Sequence, residues 1–237
     1  MTSTLVNLFR LGIIAYDDAR RWQEERSEAL RRGAGEESLA LLQHPPVYTL
    51  GRRTKAGHLL DSPAVLQRRG AEVIETDRGG DVTFHGPGQL VVYPILDLRR
   101  RGLLAVDYVR RLEQVVIETL AEFGILGERV VGTPGVWAGG GKLASLGVRV
   151  RGGVTTHGIA LNISNDLGWF DAIVPCGLTG VRMTSISLLL GSAPAMPVVE
   201  EAVIEGFQRI FEARVVDDSR AAPANVREMA TRGKTTW

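Results

Sequence analysis

The chain has 237 residues, 44% hydrophobic and 23% charged, a balance that suits one globular unit with a sizeable core. Its 28 Lys+Arg against 27 Asp+Glu leave a formal charge of +1, which argues against a dedicated nucleic-acid binder. A single cysteine, Cys176, excludes an internal disulfide, and His44, His58, His85 and His157 are too scattered to suggest a zinc site, so no metal is expected.

In chain order, the first predicted element is a helix near 15–32, where Tyr16-Asp17-Asp18 begins a charged, solvent-facing stretch. Short β-like runs follow at 39–43, 47–50, 72–76 and 90–96, several of them bounded by Gly or Pro. Val106, Val109, Leu112, Val116, Leu120 and Phe123 recur at intervals of three and four, which predicts an amphipathic helix over 105–124 ended by Gly124. Further strands are expected at 146–150 and 157–163, and a last helix at 198–211. Strands come in groups and do not alternate strictly with helices, so the expectation is an α+β fold with a mixed, largely antiparallel sheet and flanking helices. One catalytic domain is expected over 1–218, and the small, polar residues of 219–237 read as a loosely ordered tail. No run approaches the roughly 18 apolar residues of a membrane span, and MTSTLVNLFRLG lacks a basic region followed by a long apolar run, so a cytoplasmic location is expected. The clusters Arg52-Arg53-Thr54-Lys55, Arg68-Arg69, Arg99-Arg100-Arg101 and Arg110-Arg111 are either solvated surface or a docking face for an acidic partner.

Three segments carry chemistry. In 77–90, four glycines and a proline surround Arg78 and His85, which suits a loop wall brought close to a ligand as well as a pair of tight turns flanking a short strand. In 139–147, Gly139-Gly140-Gly141-Lys142 fails as a P-loop, because Val136 stands where the first Gly is needed and Leu143 replaces the Ser or Thr. A nucleophile elbow around Ser145 fails too, since no histidine follows His157. A flexible glycine run presenting one lysine remains. In 172–178, Cys176 sits between Pro175 and Gly177, a setting that suits an exposed turn better than a packed core, and Thr184-Ser185-Ile186 is a candidate helix start. Such a thiol is a nucleophile only as thiolate, which a nearby lysine favours.

Taken in order, Arg78-Gly79-Gly80 with Thr83, His85-Gly86-Pro87-Gly88-Gln89, Gly141-Lys142-Leu143-Ala144-Ser145-Leu146-Gly147, His157-Gly158-Ile159-Ala160-Leu161-Asn162 and Pro175-Cys176-Gly177 closely resemble the octanoyltransferase family, also called lipoate-protein ligase B. The resemblance extends to His44-Pro45-Pro46-Val47-Tyr48-Thr49-Leu50-Gly51-Arg52 and Tyr93-Pro94, over roughly residues 5 to 215. It implies a fold related to the catalytic modules of biotin and lipoate ligases, built around an acyl tunnel. It implies that Cys176 takes an octanoyl group from octanoyl-acyl carrier protein as a thioester and passes it to a lysine of a lipoyl domain, with Lys142 assisting both half-reactions. The acceptors implied are the lipoyl domains of 2-oxoacid dehydrogenase complexes and the glycine cleavage H protein, with no cofactor, nucleic acid or membrane. Substrate-binding positions carried over are Arg78, Gly79, Gly80, Asp81, Val82, Thr83, Phe84, His85, Ser145, Leu146, Gly147, Gly158, Ile159 and Ala160. Amides beside Cys176 or at Gly79-Gly80 are candidate oxyanion donors. His85 and His157 are expected to hydrogen-bond neighbouring strands, outside the catalytic pair. An ATP-dependent lipoate or biotin ligase is the competing reading, on a related fold that needs no cysteine nucleophile.

Overall fold

A computed structural model describes residues 4–174 and 180–219. Its frame is an eight-stranded mixed sheet, formed by β1 (Thr4–Ile13), β2 (Ser38–Gln43), β6 (Gln89–Ile95), β7 (Glu128–Val130), β8 (Thr133–Ala138), β9 (Gly141–Arg151), β10 (Val154–Asn162) and β11 (Ala213–Asp217). The spatial order is β11-β1-β2-β6-β10-β9-β8-β7. β1 runs parallel to β11 and β2, and every other pair in this sheet is antiparallel. A second, three-stranded sheet is formed by β3 (Val47–Leu50), β4 (Glu72–Glu75) and β5 (Thr83–His85), in the order β4-β3-β5.

Side-chain alternation along the strands divides the large sheet into two apolar faces. Leu39, Leu41, Leu90, Val92, Ile159 and Leu161 pack against α3 (Ala105–Ala121) and α5 (Met196–Phe211), which contribute Leu112, Val116, Val203 and Phe207. The intervening residues Ala40, Leu42, Val91, Tyr93 and Ile95 turn to the other face, where Ala19, Trp22 and Leu30 of α1 (Tyr16–Arg31) cover them. Tyr48, Val82, Phe84 and Phe170 form a third cluster, joining the small sheet to α2 (Pro63–Arg68) and a 3-10 helix at Leu167–Ala172. The α+β architecture expected from the sequence is therefore present, as are its three long helices and six strand runs. Among the described residues, no helix is long and apolar enough to cross a membrane.

Five strands lie outside the six expected runs: β1, β5, β7, β8 and β11. The longest, β1, alternates imperfectly because its register shifts between Arg10 and Gly12. β9 is also longer than the expected 146–150. Gly139 and Gly140, with φ of 56° and 74°, form the tight turn between β8 and β9, so the glycine run is a hairpin and not a flexible loop. Of the expected tail, Ser219 belongs to the folded body, its hydroxyl accepting the Arg10 amide at 2.9 Å, and 220–237 lie outside the described residues.

A buried ion pair locks the entry to β2. Glu37 accepts from Arg101 Nε at 2.9 Å and from the Asp97 amide at 2.9 Å, while Arg101 Nη1 donates to the Phe211 carbonyl at 2.9 Å. Removing one partner strands the other charge away from water. Glu37→Ala is expected to cost about 3–5 kcal/mol in urea unfolding. A loss below about 1 kcal/mol, the range of exposed pairs, would refute that role.

Candidate active site

The site begins at the seam between the two sheets. Arg78, in the loop from β4 to β5, is buried and donates from Nε to Thr49 Oγ1 at 3.0 Å, from Nη2 to the Thr49 carbonyl at 2.5 Å and from Nη1 to the Gly79 carbonyl at 3.1 Å. The Gly79 amide donates to the Val148 carbonyl of β9 at 3.0 Å. A Cβ on Gly79 would stand 2.8 Å from that same oxygen, and one on Gly147 would stand 3.0 Å from the Gly79 carbonyl. Only residues without side chains permit this approach.

Beside the seam the sheets part and leave a cavity. Its walls are Arg78, Gly80, Asp81, Val82, Thr83 and His85 on one side and Ser145, Leu146, Gly147, Gly158, Ile159 and Ala160 on the other. Two of the positions carried over from the resemblance do not line it. Gly79 serves the seam, and its amide, engaged by Val148, is not free to hold an oxyanion. Phe84 alternates away between Thr83 and His85 and stacks on Trp169, with ring centroids 5.3 Å apart. Tyr16, Tyr93 and His157 also line the cavity, beyond the expected set. Tyr93 had a legible signal, since alternation puts it on the face opposite Val92, but Tyr16 reaches the cavity only through the placement of α1.

One end of the cavity is walled by buried aromatic and imidazole groups. His44 donates from Nδ1 to the Ile14 carbonyl at 2.7 Å and accepts the Tyr93 hydroxyl at Nε2, at 2.9 Å. Burial brings its pKa down to about 4, against which the Ile14 bond works only partly. His85 donates from Nδ1 to Gln89 Oε1 at 2.8 Å, and burial, then neighbouring His44 and Arg78, hold it well below the usual imidazole value. His157 donates from Nε2 to Asp77 Oδ1 at 2.9 Å, and burial keeps it low although the carboxylate opposes this. Asp77 is held down at about 2, first by that hydrogen bond and also by Arg149. His85 thus bonds Gln89 at the head of β6, a neighbouring strand as expected, whereas His157 bonds Asp77, just beyond β4.

Lys142 lies on β9, three residues before Ser145, and is 1% exposed, although a lysine after a glycine run would ordinarily be solvated. Its Nζ donates to the Pro134 carbonyl at 3.2 Å and stands 5.8 Å from the Trp137 ring centroid. Its backbone amide donates to the Arg182 carbonyl at 2.8 Å, and its carbonyl accepts the Thr184 amide at 3.0 Å. The chain that follows 175–179 is therefore stitched directly to Lys142. Cys176 itself lies outside the described residues. The helix start expected near 184–186 is present as α4 (Ile186–Leu190), where Ser185 Oγ accepts the Leu188 amide at 3.2 Å.

Residues 15–208 match the lipoyl protein ligase A/B catalytic domain. An octanoyltransferase of Chloroflexus aurantiacus is 48% identical over 206 residues, covering 85% of this chain and 92% of that protein. One of Geobacter metallireducens is 44% identical, covering 90% and 97%. Among solved structures, lipoate-protein ligase A bound with ATP superposes with a TM-score of 0.73 at 15% identity, covering 98% of this chain and 94% of that one. The bipartite lipoate protein ligase of Thermoplasma acidophilum gives 0.71, also at 15%, covering 98% and 92%. At that identity the structural likeness speaks for the fold.

The buried imidazoles make stability depend on pH. An unfolded histidine takes up a proton near pH 6.5, whereas folded His44 does so only near 4. Its contribution is therefore complete above about 6.5 and declines as pH falls towards 4, by roughly 3 kcal/mol in total. Urea unfolding at pH 7 and pH 4.5 is expected to show this loss, and His44→Gln to lessen it. A wild-type stability flat across that interval would contradict the neutral, buried assignment.

Proposed function

This chain belongs to the lipoyl protein ligase A/B catalytic family, in its octanoyltransferase branch, and from that premise we propose that it moves an octanoyl group from octanoyl-acyl carrier protein to a lysine of a lipoyl domain through a thioester on Cys176. The observation that carries this reading is the burial of Lys142 beside the chain that follows the Cys176 segment, on the strand that goes on to line the cavity.

In the first half-reaction the Cys176 thiolate attacks the thioester carbonyl. The carrier's thiolate leaves with the electron pair and takes a proton, and the octanoyl group stays on sulfur. In the second, the acceptor amine attacks the new thioester, an amide forms, and the Cys176 thiolate is expelled as the amine loses a proton. Lys142, as its ammonium, favours the Cys176 thiolate in the first step and gives its proton to the departing carrier thiolate, and the neutral amine left behind takes the acceptor's proton in the second. A low-dielectric setting strengthens that electrostatic role, because the ammonium is screened from water. The glycines and the apolar side chains of 145–147 and 158–160 suit the alkyl chain.

Intact-mass measurement after mixing the protein with octanoyl-acyl carrier protein and no acceptor is expected to show one hydroxylamine-labile octanoyl adduct, absent in Cys176→Ala. No adduct, or transfer that requires ATP and magnesium, would overturn the reading. Lys142→Ala is expected to slow both half-reactions by about 10²–10⁴-fold, the usual scale for a lost acid-base group. An unchanged acylation rate in single-turnover experiments would remove Lys142 from the mechanism.

A further inference from the structure

His157 breaks the alternation of its own strand. Ile159 and Leu161 face α3 and α5, and a regular strand would send His157 the same way. Its φ is +60°, in the left-handed region that costs a non-glycine residue free energy. The ring instead meets Tyr93 edge-on, at 6.1 Å, and bonds Asp77 on the opposite face. Gln23 of α1 fixes this backbone, its Oε1 accepting the His157 amide at 2.6 Å. The fold therefore holds a strained residue so that its imidazole reaches the cavity.

What the imidazole offers there is a hydrogen-bond acceptor. Asp77 is ionised and can only accept, so Nε2 carries the hydrogen in that pair. Nδ1 is left with a lone pair, and it is buried with no hydrogen-bond partner, on a residue 3% exposed that lines the cavity. An orphaned buried acceptor carries a cost that a bound donor removes. The nearby Tyr93 hydroxyl does not supply one, since its hydrogen goes to His44.

The position of this acceptor sets what would reach it. On the β9–β10 ladder Ser145 pairs with Ala160, and Val148 pairs with His157, three residues further from Lys142. Three strand residues span about 10 Å. With carbon–carbon bonds of ~1.5 Å, an extended eight-carbon chain covers a similar length. Lys142 Nζ reaches the carbonyl of Pro134, next to Gly135, the partner of Ser145, so a chain whose carbonyl lies at this Ser145 end brings its distal carbon towards His157.

We propose that the far end of the cavity recognises a hydroxyl on the distal carbon of the acyl group, donated to His157 Nδ1, so that ω-hydroxyacyl thioesters are substrates alongside the plain alkyl chain. This rests on the acyl-transfer reading of the same cavity. The test compares kcat/KM for octanoyl, 8-hydroxyoctanoyl and 8-methoxyoctanoyl thioesters of one carrier, with adducts followed by intact mass. The hydroxyl compound is expected to match octanoyl and to exceed the methyl ether, which has no hydrogen to donate, by about tenfold. His157→Phe is expected to move the hydroxyoctanoyl-to-octanoyl ratio about tenfold towards octanoyl, a shift that general loosening of the fold would not produce. Should that variant fail to fold, the wild-type comparison decides alone. Octanoyl preferred about tenfold over its hydroxyl analogue, as for a cavity end that merely holds water, would overturn the inference. Failure to load octanoyl at all would instead fault the acyl-transfer reading.

Discussion

The contact on which the site depends is the approach of the Arg78-Gly79 loop to β9. Arg78 ties the loop to Thr49 of the small sheet, and the Gly79 amide ties it to Val148 of the large one. The two sheets share no strand, so this seam and the cluster around Phe84 hold them together. The cavity is the space left where the sheets separate beyond it. A side chain at Gly79 or Gly147 would push them apart and change its width, which accounts for glycine at both positions better than turn geometry does.

Beside the charged Arg78 and Asp77 of that seam, the protein keeps three imidazoles neutral. His44, His85 and His157 are buried close together, and each gains less from its partners than it loses by leaving water. Charge would be costly beside an alkyl chain, and neutral imidazoles still orient their neighbours through directed hydrogen bonds. Gln89 illustrates the outcome: it accepts from His85 and donates to Asn162, which in turn donates to the Thr184 carbonyl. That chain of bonds runs from the imidazole end of the cavity to the segment paired with Lys142. The polar core is thereby continuous with the part of the chain that follows Cys176.

Lys142 shows how context reverses a residue's ordinary behaviour. By itself, a lysine behind three glycines is a solvated surface group. Here the hairpin at Gly139-Gly140 starts β9 at Gly141, so Lys142 enters a central strand pairing and its side chain is covered by Pro134 and Trp137. Gly135 makes room for it, since a Cβ there would lie 2.7 Å from Lys142 Cε. The burial comes from the facing strand of its own hairpin, whose side chains the turn folds over the lysine.

Local pattern alone was enough for the fold class, the three long helices and the strands whose alternation is clean, because burial on one face writes a period of 2 or 3.6 into the chain. It was enough too for the family, through ordered motifs such as Arg78-Gly79-Gly80 and His157-Gly158-Ile159-Ala160. It did not reach β1, whose bulge disturbs the period, or β7 and β11 at the sheet's edges, or β8. It could not separate Gly79 and Phe84 from the residues that face the cavity, nor bring in Tyr16 from α1. Those assignments depend on which atoms meet across two sheets, and only the folded chain decides which side of a strand, and which end of a cavity, a residue such as His157 comes to occupy.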